Sequence, residues 1–416
     1  MDNDYKYLSD DYNVVNMLAR KTILFLVTED WYFCLHRLPV ARAARDAGFR
    51  VLIATQVNEH GAVIEREGFT LIPMRWRRHS LNPLHALSEV RQIAIIYRKY
   101  SPDLVHHVAL KPSLLGSFAA NITRTSPVVN NLAGLGHAFS SKGPISALVR
   151  AGVIFGLKYL FRGVNRRVIV ENADDAEYLV SRIGLDRGKV AVIRGIGVDV
   201  KRFSPSEEAF DGEMTVTMVS RMLWPKGVGE LVEAACILRR RGQNTKVQLV
   251  GKPDTSSRVS VSEEQLLTWQ SQGLVDWLGY REDVSEIWRR THIAVLPSYY
   301  REGIPRSLLE AAACGCPIVT TEMPGCRDVV RHGINGLLVP PRDPVAIADA
   351  LEQLIKDPEM RQLMGREGRK LVEEEFTEER VVKQTLDLYL ELVKFRPGDM
   401  EPGALVGDGK SDQVDK

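Results

Sequence analysis

Short apolar runs alternate with longer amphipathic stretches along most of this 416-residue chain. Thr22–Val27 (TILFLV), Arg50–Thr55 (RVLIAT), Thr70–Met74, Asp103–Val108, Val128–Leu132, Val168–Val170 and Val190–Ile193 predict strands in the first half. Helix-length segments such as Arg37–Ala47 and Leu84–Lys99 lie between them. Strands separated by helices pair in parallel, and their near-continuous apolar character calls for cover on both faces. The rhythm returns in Thr215–Ser220, Lys246–Val250, Val275–Leu278, Ile293–Leu296, Ile318–Thr320 and Leu337–Val339. The polar stretch Ser204–Gly212 (SPSEEAFDG) between the two sets reads as a linker. The expected class is α/β with two doubly wound domains, residues 21–205 and 206–378, preceded by a polar extension over 1–20. A long amphipathic helix, Glu378–Lys394, accounts for 379–395, and a Gly-, Asp- and Lys-rich tail without apolar periodicity follows over 396–416.

Hydrophobic residues make up 44% and charged residues 26%, a globular balance that excludes a mostly disordered chain. The net charge is +2 but unevenly spread. Through Pro205 there are 28 Lys and Arg against 18 Asp and Glu, and beyond it 27 against 35. A basic half suits an anionic partner such as phosphates or a lipid head-group surface; an accidental asymmetry of a solvated surface is the alternative. Five scattered cysteines without zinc spacing read as buried thiols in a reducing compartment. The acidic first twenty residues do not resemble a signal peptide, and no window reaches the length of a membrane span, so a cytoplasmic protein is expected.

Doubly wound sheets bind ligands beyond the carboxyl ends of their strands. The loop after the first strand, Thr28-Glu29-Asp30-Trp31, has no glycine, and Gly134-Leu135-Gly136 lacks a third, so hydride transfer on a dinucleotide is excluded. No P-loop is present either. The informative stretch is 298–317 (SYYREGIPRSLLEAAACGCP), which follows an apolar strand. Gly303 lets the backbone approach a ligand, Pro305 suits the start of a helix, and Gly315 with Pro317 ends it. Such a unit favours a phosphate at the helix end. Glu302 before the helix and Glu310 within it suit hydroxyls at different parts of one ligand. On spacing alone they could equally be unrelated. Arg221 and Lys226 occupy the opening loop of the same half, where a fork and a point charge could hold a diphosphate.

At these residues the chain resembles the retaining glycosyltransferases of family 4, which have the GT-B fold of two facing Rossmann-like domains and an interdomain cleft. The motif is Glu302, seven residues, then Glu310. Phe33–Gly48, Pro102–Ala119, Asn131–Phe139, Gly195–Pro205, Arg221–Gly227 and Pro324–Pro341 resemble further segments of that family, in its order. The set is most similar to bacterial enzymes that extend lipid-linked glycans such as O-antigen or capsule.

The resemblance implies that Arg221 and Lys226 hold the donor diphosphate, and that Glu302 with the backbone of Gly303 and Ile304 binds the donor sugar. It also implies that Glu310 binds the ribose and that Tyr280 and Arg281 border the base. From the first domain, His106, His107 and Lys111 would line the opposite wall with Gly134 and Gly136. Adjacent residues of a strand point to opposite faces, so only one histidine can enter the cleft, and His106 is the preferred candidate. Asp174 and Asp175 (ENADDAEYL) read as helix capping.

The implied activity keeps the anomeric configuration, with a nucleoside-diphosphate sugar as donor, UDP rather than GDP, and a polyprenyl-diphosphate-linked glycan as acceptor. No acid is evident opposite Glu302, so a front-face route is expected, without metal or cofactor. Met74–His79 (MRWRRH) and Lys142–Val170, with six basic and no acidic residues, could touch the inner membrane. Alternatively, the second segment is a helix buried on its own sheet. Nucleic acid is not an expected partner. The alternatives to a transferase are a nucleotide-sugar epimerase of the same fold and a non-catalytic nucleotide-sugar-binding scaffold.

Overall fold

The computed structural model describes residues 21–77, 80, 82–134, 144–206, 213–255 and 257–394. Part of the linker, Gly136 and the expected tail therefore lie outside the described residues. Seven strands follow in the first half: β1 (Thr22–Glu29), β2 (Arg50–Gln56), β3 (Thr70–Pro73), β4 (Leu104–Val108), β5 (Val128–Leu132), β6 (Arg166–Val170) and β7 (Val190–Val192). Six follow in the second: β8 (Thr215–Val219), β9 (Lys246–Val250), β10 (Asp276–Gly279), β11 (Ile293–Leu296), β12 (Ile318–Thr321) and β13 (Gly336–Val339). Every apolar run read as a strand is one. Two parallel sheets result, ordered β3-β2-β1-β4-β5-β6-β7 and β10-β9-β8-β11-β12-β13. In each, the order reverses beside the first strand of the set, which opens a crevice at the carboxyl edge. This is the GT-B architecture.

Helices cover both faces of each sheet because the strands are apolar on both sides; the residues of β4, β5 and β11 are all buried. The helix Glu378–Lys394 departs from the simple two-domain division. It follows the second domain in the chain but packs on the first, where Val381, Val382, Leu386, Tyr389 and Leu392 join one core with Phe25, Phe33, Val40 and Ile53. Its period-3.6 apolar stripe thus completes the first domain. Among the described residues the chain leaves the first domain before β8 and returns at Thr377, which forms an isolated parallel bridge with Val198 of the outgoing segment.

That helix explains the histidines of β4. His106 Nδ1 bonds the Tyr389 hydroxyl and its ring lies 5.2 Å from that of Phe25. On the opposite face of the strand, His107 bonds Tyr97 at 2.6 Å and Asn130 at 2.8 Å. Both are buried, and burial first of all holds both pKa values far below the ordinary value, to about 3 for His107. The two do alternate, but neither enters the cleft, so the expected role of His106 or His107 on its wall is corrected: they are neutral core groups.

Candidate active site

The second-domain side of the cleft is built from the loops after β8 and β11. Lys226 ends a short 3-10 turn closed by Gly227, whose φ of 83° is left-handed and whose Cβ would collide with the Pro297 carbonyl. This close approach carries Lys226 to the loop after β11, where its Nζ lies 2.5 Å from Glu302 Oε2. Burial opposes the lysine's charge, but Glu302 and Tyr300 outweigh it and hold the ammonium above its ordinary pKa. The other carboxylate oxygen, Glu302 Oε1, is buried with no partner among the described residues. Arg221 lies at the same edge, half-exposed and paired with Asp254 at 2.9 Å.

Glu310 sits two turns further, on the helix Arg306–Ala313. Burial raises its pKa against the pull of Arg306, whose Nε donates to Oε1 at 2.7 Å. The structure therefore brings Arg221, Lys226, Glu302, Gly303, Ile304 and Glu310 to one sheet edge. Tyr280 and Arg281 stand apart, beyond the edge strand β10. Tyr280 is exposed beneath Lys252, and Arg281 grips Asp283 in a fork at 2.8 and 2.6 Å.

The first domain meets this loop directly. Gly134 has a φ of 79°, and a Cβ there would stand 2.7 Å from Gly303 N. Ile304 N–H donates to Glu171 Oε2 at 2.9 Å, and a side chain at Gly303 would collide with the same oxygen. Glu171 is buried, and burial raises its pKa although Arg37, 3.7 Å away, opposes the shift. Arg37 also donates to Asn131 at 2.6 Å. Asn172 Nδ2 donates to the Glu302 carbonyl at 3.1 Å.

Asp175 and Asp174 pair with Arg301 and Arg327 of the second domain, at 2.8 and 2.6 Å. The expected capping role belongs instead to Asn172, which accepts from Asp175 N, so the two aspartates are corrected to interdomain ion pairs. Glu171 likewise corrects the expectation that no acid stands opposite the Glu302 loop. No local spacing marks Glu171, Arg37 or Asp175, because their partners lie on other domains or distant strands.

Lys111 does not reach this cluster. Its Nζ bonds the buried Glu89 at 2.8 Å and the Arg77 carbonyl, and lies 5.8 Å from the centre of the Trp76 ring. Trp76 is only 6% exposed, so the expected membrane contact through Met74–His79 loses its aromatic residue to the core. A cavity of about 410 Å³ beside it is lined by Arg75, Arg77, His85, Ser88, Glu89 and Gln92.

Loops of one Rossmann-like sheet thus bring a buried cation and two carboxylates to a loop that a second such domain touches directly. Family comparison agrees over both halves: Glycosyl transferase 4-like matches residues 22–172 and Glycosyl transferases group 1 matches residues 199–371. The chain belongs to these glycosyltransferases. It is 28% identical, over 78% of its length and 87% of the relative's, to the N,N'-diacetylbacillosaminyl-diphospho-undecaprenol alpha-1,3-N-acetylgalactosaminyltransferase of Campylobacter jejuni. It is 24% identical, over 74% and 81%, to the UDP-Gal:alpha-D-GlcNAc-diphosphoundecaprenol alpha-1,3-galactosyltransferase of Escherichia coli. The Anabaena HepE structure in complex with UDP and glucose shares the fold, with a TM-score of 0.74 and 20% identity over 89% of this chain and all of that one. The epimerase alternative finds no support among these relatives.

Proposed function

We propose that the protein transfers a sugar from a UDP-sugar to a polyprenyl-diphosphate-linked glycan with retention of anomeric configuration. The observation that carries the reading is Glu302: one carboxylate oxygen is held by Lys226 and the other is buried without a partner among the described residues. A buried acceptor left unpaired is costly, and a sugar hydroxyl is the donor that satisfies it. Lys226 and Arg221 then face the diphosphate, and Glu310 the ribose. The protein supplies orientation and fixed positive charge, while the departing phosphate receives the acceptor's proton on the same face. These cations carry the role that a metal fills elsewhere.

The relatives from Campylobacter jejuni and Escherichia coli are named for diphospho-undecaprenol acceptors, which supports a lipid-linked acceptor here. The test is a panel of UDP- and GDP-sugars with a bacterial polyprenyl-linked glycan extract, recording released nucleotide and glycan mass. A defined mass gain on the lipid-linked glycan is expected. Nucleotide-sugar binding without transfer across the panel supports the scaffold alternative.

A lipid-linked acceptor requires work at a membrane face, here the cytoplasmic side of the inner membrane. No described helix is long and apolar enough to cross a bilayer. On the helix Pro144–Leu160, however, Phe155 is 64% and Tyr159 52% exposed, their rings 4.4 Å apart, while Leu157 is buried against the sheet. The neighbouring helix Leu110–Thr123 adds exposed Phe118 and Ile122. Arg162 lies over Tyr159, and Arg75 and Arg77 at the nearby cavity suit a diphosphate. An apolar face rimmed by cations suits an anionic bilayer. Changing both Phe155 and Tyr159 to Asp is expected to cut binding to anionic vesicles about tenfold or more. Equal sedimentation of variant and wild type would count against this face.

A further inference from the structure

Arg306 has no part in the reading above, yet it bonds both a carboxylate of its own helix and the main chain of the first domain. It opens the helix Arg306–Ala313, one turn before Glu310. Its Nε bonds Glu310 Oε1 at 2.7 Å, and its Nη1 donates to the main-chain carbonyl of Leu35, in the first domain, also at 2.7 Å. A pair four apart on a helix contributes little by itself. The bond to Leu35 sets this one apart. Leu35 and His36 close the helix Asp30–His36, and Arg37 turns the chain into the helix Leu38–Asp46. Arg37 in turn lies against Glu171, which holds Ile304 N–H. The turn is thus tied to the donor loop on both sides.

An ionised carboxylate offers about four lone-pair positions, so Glu310 can keep Arg306 and still accept from a ribose. The rigid guanidinium fork fixes the angle at which it does so. We propose that Arg306 is a positioning residue that couples nucleotide capture to domain closure, orienting the ribose-binding carboxylate of Glu310 while clamping the first-domain turn Leu35–Arg37 beside it. The proposal rests on the ribose role of Glu310. A lysine could reach either partner, but not both in a fork.

Binding of UDP and of uridine to the full chain, together with hydrogen exchange of residues 30–38 at saturating UDP, tests it. Arg306→Ala is expected to lose about tenfold in affinity for both ligands, by the same factor, because the loss acts through Glu310. Saturating UDP is expected to slow exchange of residues 30–38 in the wild type but not in Arg306→Ala or Arg306→Lys, with other first-domain segments unchanged. A loss for UDP with uridine binding intact would assign Arg306 to the diphosphate and overturn the proposal. Persistent protection of 30–38 in Arg306→Ala would overturn the coupling. Glu310→Ala with undiminished uridine affinity would instead remove the ribose reading beneath it.

Discussion

Replacing Lys226 by alanine is expected to lower the turnover of sugar transfer at saturating donor by about 10²–10³-fold, roughly 2.7–4 kcal/mol of transition-state stabilisation. The argument begins with burial. Lys226 is held in the cleft wall by the tight contact of Gly227 with Pro297, and it stays cationic because Glu302 lies 2.5 Å away. Negative charge on the diphosphate grows as the sugar bond breaks, so a fixed ammonium contributes more at the transition state than in the bound donor. Where water is scarce, that difference is large. Turnover and the Michaelis constant for donor, measured separately, decide the point. A raised Michaelis constant with unchanged turnover would place Lys226 in ground-state binding and remove its part in departure of the leaving group.

The second large effect concerns stability. Glu171→Ala is expected to destabilise the protein by about 3–5 kcal/mol, because it removes one partner of a buried ion pair and leaves Arg37 uncompensated. Arg37 is 3% exposed, its Nε already lacks a partner among the described residues, and only Asn131 remains to accept from it. The loss corresponds to a fall of about 6–20 °C in the thermal midpoint of the first-domain transition. Glu171→Gln keeps an acceptor for Ile304 N–H and should lose less. Adding Arg37→Met to Glu171→Ala should recover most of the loss, since an apolar side chain of similar length carries no buried charge. A first-domain midpoint within a degree or two of wild type in Glu171→Ala would show that the pair is not the clasp its geometry describes.

The strands were legible because each is a local apolar run, and parallel strands buried on both faces require such runs. The loop around Glu302 was legible for a related reason: glycine, proline and carboxylate act there through neighbouring residues. His106 was misread because its partner, Tyr389, lies 283 positions away on a helix whose docking site no local pattern states. Trp76 had the composition of a membrane contact but packs inward beneath Lys111, a choice made by tertiary burial. Asp174 and Asp175 looked like caps because capping is a local habit of aspartate, whereas their arginines stand on the other domain. What escaped the sequence was therefore pairing at long range, above all across the cleft.

The returning helix Glu378–Lys394 also sets a timetable for biosynthesis. A chain emerging from the ribosome ordinarily completes its leading domain first. Here the leading domain lacks Val381, Leu386 and Tyr389 until the whole second domain has been translated, so Phe25, Phe33 and His106 wait for partners that follow it in the chain. Nascent chains stalled before residue 378 should therefore present this unfinished surface to chaperones, and closure of the first domain must await synthesis of the second.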